Sequence, residues 1–408
     1  MNLKYKPELL APAGDMEKLK LAFMYGADAV YASTADFAMR TREIGFDYNS
    51  LKEGINYTHS INKKIYITVN TFPHSSEIPN FIKHAKKLIT LSPDAFIVAD
   101  PGLVKYFIDN CNIPVHLSTQ ANITNYLASN FWQDQGVKRI VLARELNLKD
   151  IKLITQKTKI PIETFVHGAM CMAYSGRCQI SNYLTGRDPN RGKCVQACRF
   201  KYKVFGLKEE LRPNDNYEIL EDDTGSYLFN SKDLCMINHI PELINAGVTS
   251  FKIEGRLKGI YYVTTVTRLY RQAIDLYFAN PKKYLASKKY FSNEILKTSN
   301  RGYTTGFYFN KPDPSTNNYL TQKETSSYSF VGQVIYQDLK NKTISVLVKN
   351  QLKLGSILEI ITPNKIIKHK LTKMEHKNKP ASIVHAGYEI TFKLTKKIPI
   401  LSLIRTKI

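Results

Sequence analysis

Short apolar runs and helix-period segments alternate along the first 280 residues of the chain. The run at 8–13 ends in Gly14 and Asp15, and MEKLKLAFMY follows with apolar positions three and four apart. That spacing predicts a helix, with Asp15 as its N-cap. In GADAVYAS, Gly26 sits where the helix would end and residues 29–32 read as a strand. The same phrase returns with apolar runs at 64–71, 92–100, 115–120, 136–145, 161–168 and 247–256, each preceded by a helical segment.

Eight such pairs predict an α/β fold, a (β/α)8 TIM-like barrel over residues 1–280. A doubly wound sheet would carry a G-x-G-x-x-G or G-x4-G-K-[ST] turn, and the chain has neither. An amphipathic helix over 261–280 closes the barrel, and its Arg268 and Arg271 are candidates to face either substrate or solvent. Periodicity is lost over 281–327, which reads as a connector; RGYTTGFYFN within it is aromatic and Gly-rich and would lie near the active face. Residues 328–408 break into apolar or alternating runs of four to eight residues separated by Asn-, Gly- and Lys-bearing turns. They predict a small C-terminal antiparallel β-barrel.

A barrel of this class works at the C-terminal ends of its strands. Those ends carry Asp15, Ser33, Asn70, Thr71, Asp100, Ser118, Gln120, Arg144, Glu145, His167, Glu254 and Arg256. Taken singly, any of them could mark no more than a strand leaving the core, but together they form a polar ring.

Cysteine is concentrated in one place. Four of six fall between 171 and 198 and a fifth at 235, in the pattern C-x6-C-x15-C-x3-C-x36-C. The residues between them are Gly, Arg, Asn, Ser and Tyr without apolar period, so 165–235 reads as a metal-binding insertion. His167 at the end of a strand, four residues before Cys171, sets that insertion over the barrel mouth. Zinc knuckles pair cysteines two to four residues apart, a spacing that only Cys194 and Cys198 have. An iron–sulfur cube tolerates wider spacing. Zinc, redox thiols and disulfides remain alternatives, the last disfavoured in a reducing compartment. Arg177, Arg187, Arg191, Lys193 and Arg199 would offset the charge of a thiolate-bound cluster.

Charge sharpens the picture of the C-terminal part. Of the formal net +23, residues 281–408 supply +16, from 23 Lys/Arg against 7 Asp/Glu; the preceding 280 residues supply +7, from 35 against 28. A basic C-terminal third fits a polyanion such as RNA, although solvated lysines are also ordinary surface. With no apolar leader and no window of 18 uninterrupted apolar residues, no membrane span is expected, and the cytoplasm is the expected location.

ELLAPAG, HGAMCMAYSGRC, SNYLTGRDPNRGKCVQACR, NSKDLCM and FKIEGR, in this order, closely resemble the bacterial collagenase-like peptidase family, and within it the branch of tRNA hydroxylation proteins. The resemblance covers the barrel from about residue 8 to 280, with the trailing β-domain typical of that branch. It implies oxygen-independent hydroxylation of wobble uridine, with a 4Fe-4S cluster and prephenate as the hydroxyl source. The cluster ligands it implies are Cys171, Cys178, Cys235 and either Cys194 or Cys198, with Cys194 favoured. Cys111 lies outside the motif.

On this reading the mouth holds a flipped uridine and a small carboxylate neutralised by Arg144, Arg256 and Lys258. His167 and Glu254 are the acid/base candidates. Tyr174 would stack on a base or shield the cluster, and Arg177 would sit beside it. The family also implies two other activities, hydroxylation of a quinone precursor and collagenase-like proteolysis. Proteolysis lacks a G-x-S-x-G or H-E-x-x-H motif and would need a His167–Cys171 dyad. A non-enzymatic RNA-binding role would leave the polar ring idle.

Overall fold

The computed structural model describes residues 5–34, 45–171, 173–191, 194–199, 208–209, 212–216, 221–222, 225–226, 231–310 and 326–408. Lys193 and the side chains of Arg191 and Arg199, expected beside the cysteines, lie outside the described residues, as do 311–325 of the expected connector.

Eight parallel strands close into a barrel. They are β1 (Glu8–Pro12), β2 (Ala29–Ala32), β3 (Lys64–Val69), β4 (Ala95–Val98), β5 (Val115–Leu117), β6 (Arg139–Val141), β7 (Ile162–Gly168) and a closing strand, Ser250–Ile253. The closing strand pairs with both β7 and β1. The strands are buried almost throughout, because helices cover their outer faces and side chains fill the lumen. The helices start where small polar residues cap them: Asp15, Asp47, Asp100, Asn125 and Asn147 each accept a backbone N–H from their helix's first turn. Two members of the expected polar ring, Asp15 and Asp100, are thus occupied as caps.

Between β7 and the closing strand the chain carries the cysteine segment. It returns through Asp233–Cys235, which runs antiparallel to β7 with Cys235 opposite His167. Helix Ile260–Ala279 then packs against β1 and the first helix. Pro281–Ile295, inside the expected connector, forms a further helix, seated on its predecessor through Tyr284, Phe291 and Ile295. Among the described residues no helix is long and apolar enough to cross a membrane.

The C-terminal unit is an antiparallel sheet whose main strands are Tyr328–Asp338, Thr343–Val348, Ile357–Ile361, Ile366–Lys370, Glu389–Lys393 and Leu403–Lys407. The sheet curls on itself: His369 on one edge strand stacks on Phe392, five strands away along the ladder, with ring centroids 5.2 Å apart. Its alternate residues enclose a separate apolar core that includes Val334, Val346, Ile360 and Ile404.

This unit is bolted to the barrel's helices. Arg405, fully buried, reaches Glu294 and Glu359 at 2.6 Å each. Arg268 donates from Nε to the carbonyls of Thr362 and Pro363, and Tyr25 Oη donates to that of Ile361. Arg268 and Arg271 therefore do not face substrate. The first clamps the two units together, and the second pairs with Asp28 and Asp275.

Candidate active site at the barrel mouth

Period-two alternation on the closing strand sends Phe251 and Ile253 outward into the main apolar core and Ser250, Lys252 and Glu254 into the lumen. At the lumen's closed end Glu8, Arg139, Glu163 and Ser250 form one network. Arg139 Nη1 lies 2.6 Å from Glu8 and 3.1 Å from Glu163, Ser250 Oγ donates to both carboxylates, and Tyr66 Oη donates to Glu8. Lys252 Nζ closes the network 2.9 Å from Glu163. Burial alone would push the Glu163 carboxyl up, but the Lys252 and Arg139 charges outweigh it and hold the pKa below the ordinary carboxylate value. Burial pulls Lys252 below the usual lysine value, with Glu163 opposing.

Above this network the strand ends enclose a cavity of about 590 Å³, counting space open to solvent. Six members of the expected ring line it: Asn70, Ser118, Gln120, Arg144, Glu254 and Arg256. Arg144 stacks its guanidinium 3.8 Å from the centroid of Phe165 and donates Nη1 to the Ala169 carbonyl; its buried Nε has no partner among the described residues. Arg256 donates to Thr68 Oγ1 at 2.7 Å. Glu254 accepts the Ala169 N–H at 3.2 Å. Lys252 also lines the cavity, 4.6 Å from the Tyr31 ring centroid and 5.5 Å from that of Phe165. It was absent from the expected set, although it stands two residues before Glu254 and four before Arg256, the spacing that puts all three on one face of a strand.

A second cavity, lined by Cys171, Cys178, Cys194, Cys198 and Tyr174, adjoins the first and shares Thr119, Gln120 and Arg144 with it. The cysteine segment is tied down on the strand-end loops. Ser175 N–H donates to Glu145, Asn122 donates to the Ser175 carbonyl, and Phe72 N–H to that of Asn190, whose amide in turn holds the Cys178 carbonyl. Gly176 lies so close to the Gln120 carbonyl that a Cβ there would come within 2.1 Å of the oxygen, at φ +74°. Tyr174 and Arg177 are exposed on this segment.

Three expected residues stand elsewhere. Strict alternation along β7 would turn His167 to the same face as Glu163 and Phe165. The register against the closing strand instead slips by one residue, Lys252 facing Phe165 and Ile253 facing His167, a β-bulge at Val166 that turns His167 outward. There it is 1% exposed, with ring centroids of Tyr303, Tyr270 and Tyr262 at 5.2, 5.6 and 5.8 Å. Burial first, and the Lys258 charge second, pull its pKa down to about 3. Lys258 reaches over Tyr262, 5.2 Å from the ring centroid, and is not on the cavity lining. Cys235, opposite His167, packs on the apolar core behind the barrel wall, and burial pushes its thiol up to about 11.

Among the described residues no three His, Cys, Asp or Glu side chains are grouped so as to hold a metal ion. Four cysteines line the one chamber, and thiolates are ligands that both zinc and iron–sulfur centres take.

Fold and site together define an α/β-barrel protein with a cysteine-lined chamber set against a cation-lined mouth. Residues 14–318 match the model of peptidase family U32 and residues 326–405 that family's C-terminal domain, and the chain belongs to this family. It is 37% identical to tRNA hydroxylation protein P of Escherichia coli (strain K12), over 94% of this chain and 92% of that one. Its identity to tRNA hydroxylation protein P1 of Bacillus subtilis (strain 168) is 36%, over 96% and 93%. With the 23S rRNA 5-hydroxycytidine C2501 synthase of Escherichia coli it shares 40% identity over 66% of this chain and 40% of that one.

Proposed function

We propose that this chain is an RNA-modifying enzyme that hydroxylates the wobble uridine of tRNA, with a cysteine-bound 4Fe-4S cluster and a small carboxylate of the prephenate type as hydroxyl source. One observation carries the reading: the cysteine chamber and the cationic mouth share Arg144, Thr119 and Gln120, so a redox centre and an anion site would adjoin. The relatives named for RNA hydroxylation support it, one of them along nearly the whole chain.

The chain's own residues divide the work. Arg144 and Arg256 bind and orient the carboxylates, as guanidinium groups do in bidentate pairs. Glu254, fixed by the Ala169 N–H, is the carboxylate on the lining and takes the proton-transfer role. A uridine must leave its stack to reach the mouth, whose lining includes the Tyr31 and Phe165 rings. Cys171, Cys178, Cys194 and Cys198, the thiols that line the chamber, would hold the cluster, which would supply one-electron redox chemistry beside the mouth. His167 faces away from the mouth and is withdrawn from the acid/base role. The withdrawal also removes the His167–Cys171 dyad that a thiol protease would need. The lysines of the C-terminal sheet hold the tRNA body through its phosphates.

The test is reconstitution. Anaerobically purified protein should carry iron and sulfide near four each, and with prephenate it should convert unmodified tRNA to hydroxyuridine-containing tRNA by nucleoside mass spectrometry. Retained zinc, or no product with iron fully loaded, would overturn the proposal.

A further inference from the structure

Lys252 is unusual among the lining residues because it belongs to two systems at once. The residue is 4% exposed and its ammonium is bonded to Glu163 of the buried network, yet it also lines the mouth cavity. Among the described residues Glu163 is its one hydrogen-bond partner, which leaves two ammonium hydrogens for the ring faces of Tyr31 and Phe165 and for the cavity. A buried ammonium is costly unless paired. Here the charge is held at the junction between a closed ionic network and an open chamber, where an apolar side chain would have closed the lumen at less cost.

The charges on the lining indicate what it holds. Lys252, Arg144 and Arg256 are cations and Glu254 is the carboxylate, a net of two positive charges facing the cavity. Glu163 and Arg139 lie behind Lys252, outside the lining, and with Glu8 they carry one net negative charge, so lining and network together carry one net positive charge. Arg144, Arg256 and the ammonium hydrogens that Lys252 does not give to Glu163 are more cationic donors than one carboxylate occupies, and a second carboxylate on the same small molecule would fill them.

We infer that Lys252 is the carboxylate-binding cation at the floor of the mouth, held in place by Glu163, and that with Arg144 and Arg256 it selects a small dicarboxylate over a monocarboxylate. The inference rests on reading the mouth as a co-substrate site, and it moves the third cation of that site from Lys258 to Lys252.

The two members of the ion pair give opposite predictions. Lys252→Met removes the ligand, whereas Glu163→Gln removes the carboxylate that competes with the ligand for Lys252 while keeping an acceptor in place. A purely structural pair would make the two variants behave alike. Binding of succinate and of butyrate, measured by calorimetry on the full chain, reads the difference. Wild type should prefer succinate by about tenfold or more. In K252M the preference should collapse toward unity, and in E163Q it should persist or grow. If K252M unfolds, the double variant K252M/E163Q, which removes both buried charges, replaces it with the same expected collapse.

No preference in wild type, or a parallel loss in K252M and E163Q, would overturn the inference, as would a preference that survives in K252M or in the double variant. The assay contains no RNA. Intact succinate selection without tRNA modification would therefore count against the RNA reading alone.

Discussion

His167 is neutral in the folded chain because burial among three tyrosine rings excludes its charged form. Its folded pKa of about 3 lies below the ordinary histidine value of 6.5. Below pH 6.5 the unfolded chain takes up a proton that the folded chain refuses. The stability this residue contributes is therefore complete above that pH and is lost as pH falls toward 3. Each such group has a limiting slope of about 1.4 kcal/mol per pH unit. His116, also pulled down by burial, acts in the same window. The depressed Glu163 loses its contribution only below the ordinary carboxylate range. His369 is also pulled down by burial, so urea titrations between pH 5 and 7.5 should show wild-type stability falling with acid and His167→Phe losing roughly a third to a half of that slope. An unchanged slope would mean that His167 is protonated in the folded protein.

At the scale of elements, the barrel was legible because each strand is buried on both faces and each helix on one, which writes the two periods into the sequence. The polar ring was legible for the same reason, and half of it lines the cavity. The bulge at Val166 was not, because an extra residue in a strand leaves the composition unchanged and only reverses parity beyond it. His167 was expected at the mouth because it stands at a strand's C-terminal end, and the reversal turns it away. Lys252 was overlooked in the middle of an apolar run, where period two alone would have found it. Helix Pro281–Ile295 escaped notice because it buries few side chains, chiefly Tyr284, Phe291 and Ile295, among many lysines. The cysteine segment depends on close approach at Gly176. Gly176→Ala forces a Cβ against the Gln120 carbonyl and should lift the segment off the barrel. Iron bound per chain should fall severalfold while the barrel's thermal transition by far-UV circular dichroism stays within a few degrees.

For the whole molecule, the contact between barrel and C-terminal sheet is built on buried charge. Arg405 neutralises Glu294 and Glu359, and Lys297 supports both. Arg405→Met leaves two carboxylates short of a partner and should cost about 3–5 kcal/mol in urea unfolding; a loss under 1 kcal/mol would mean that water reaches the site. The same docking carries the lysines of the C-terminal sheet alongside the barrel. If these lysines hold tRNA phosphates, affinity should fall steeply with salt, and each Lys-to-Ala change that removes a phosphate contact should reduce the log–log slope by about one. Insensitivity to salt would exclude this surface as the RNA contact.

The proposed activity puts a hydroxyl on wobble uridine and needs the cysteine chamber for it. The deciding measurement is mass spectrometry of tRNA nucleosides from a strain lacking this chain, complemented with wild type or with Cys178→Ala. Wobble hydroxyuridine derivatives should vanish in the deletion strain, return with wild type and stay absent with the variant. An unchanged nucleoside profile in the deletion strain, with no second enzyme covering the loss, or full restoration by Cys178→Ala, would contradict it.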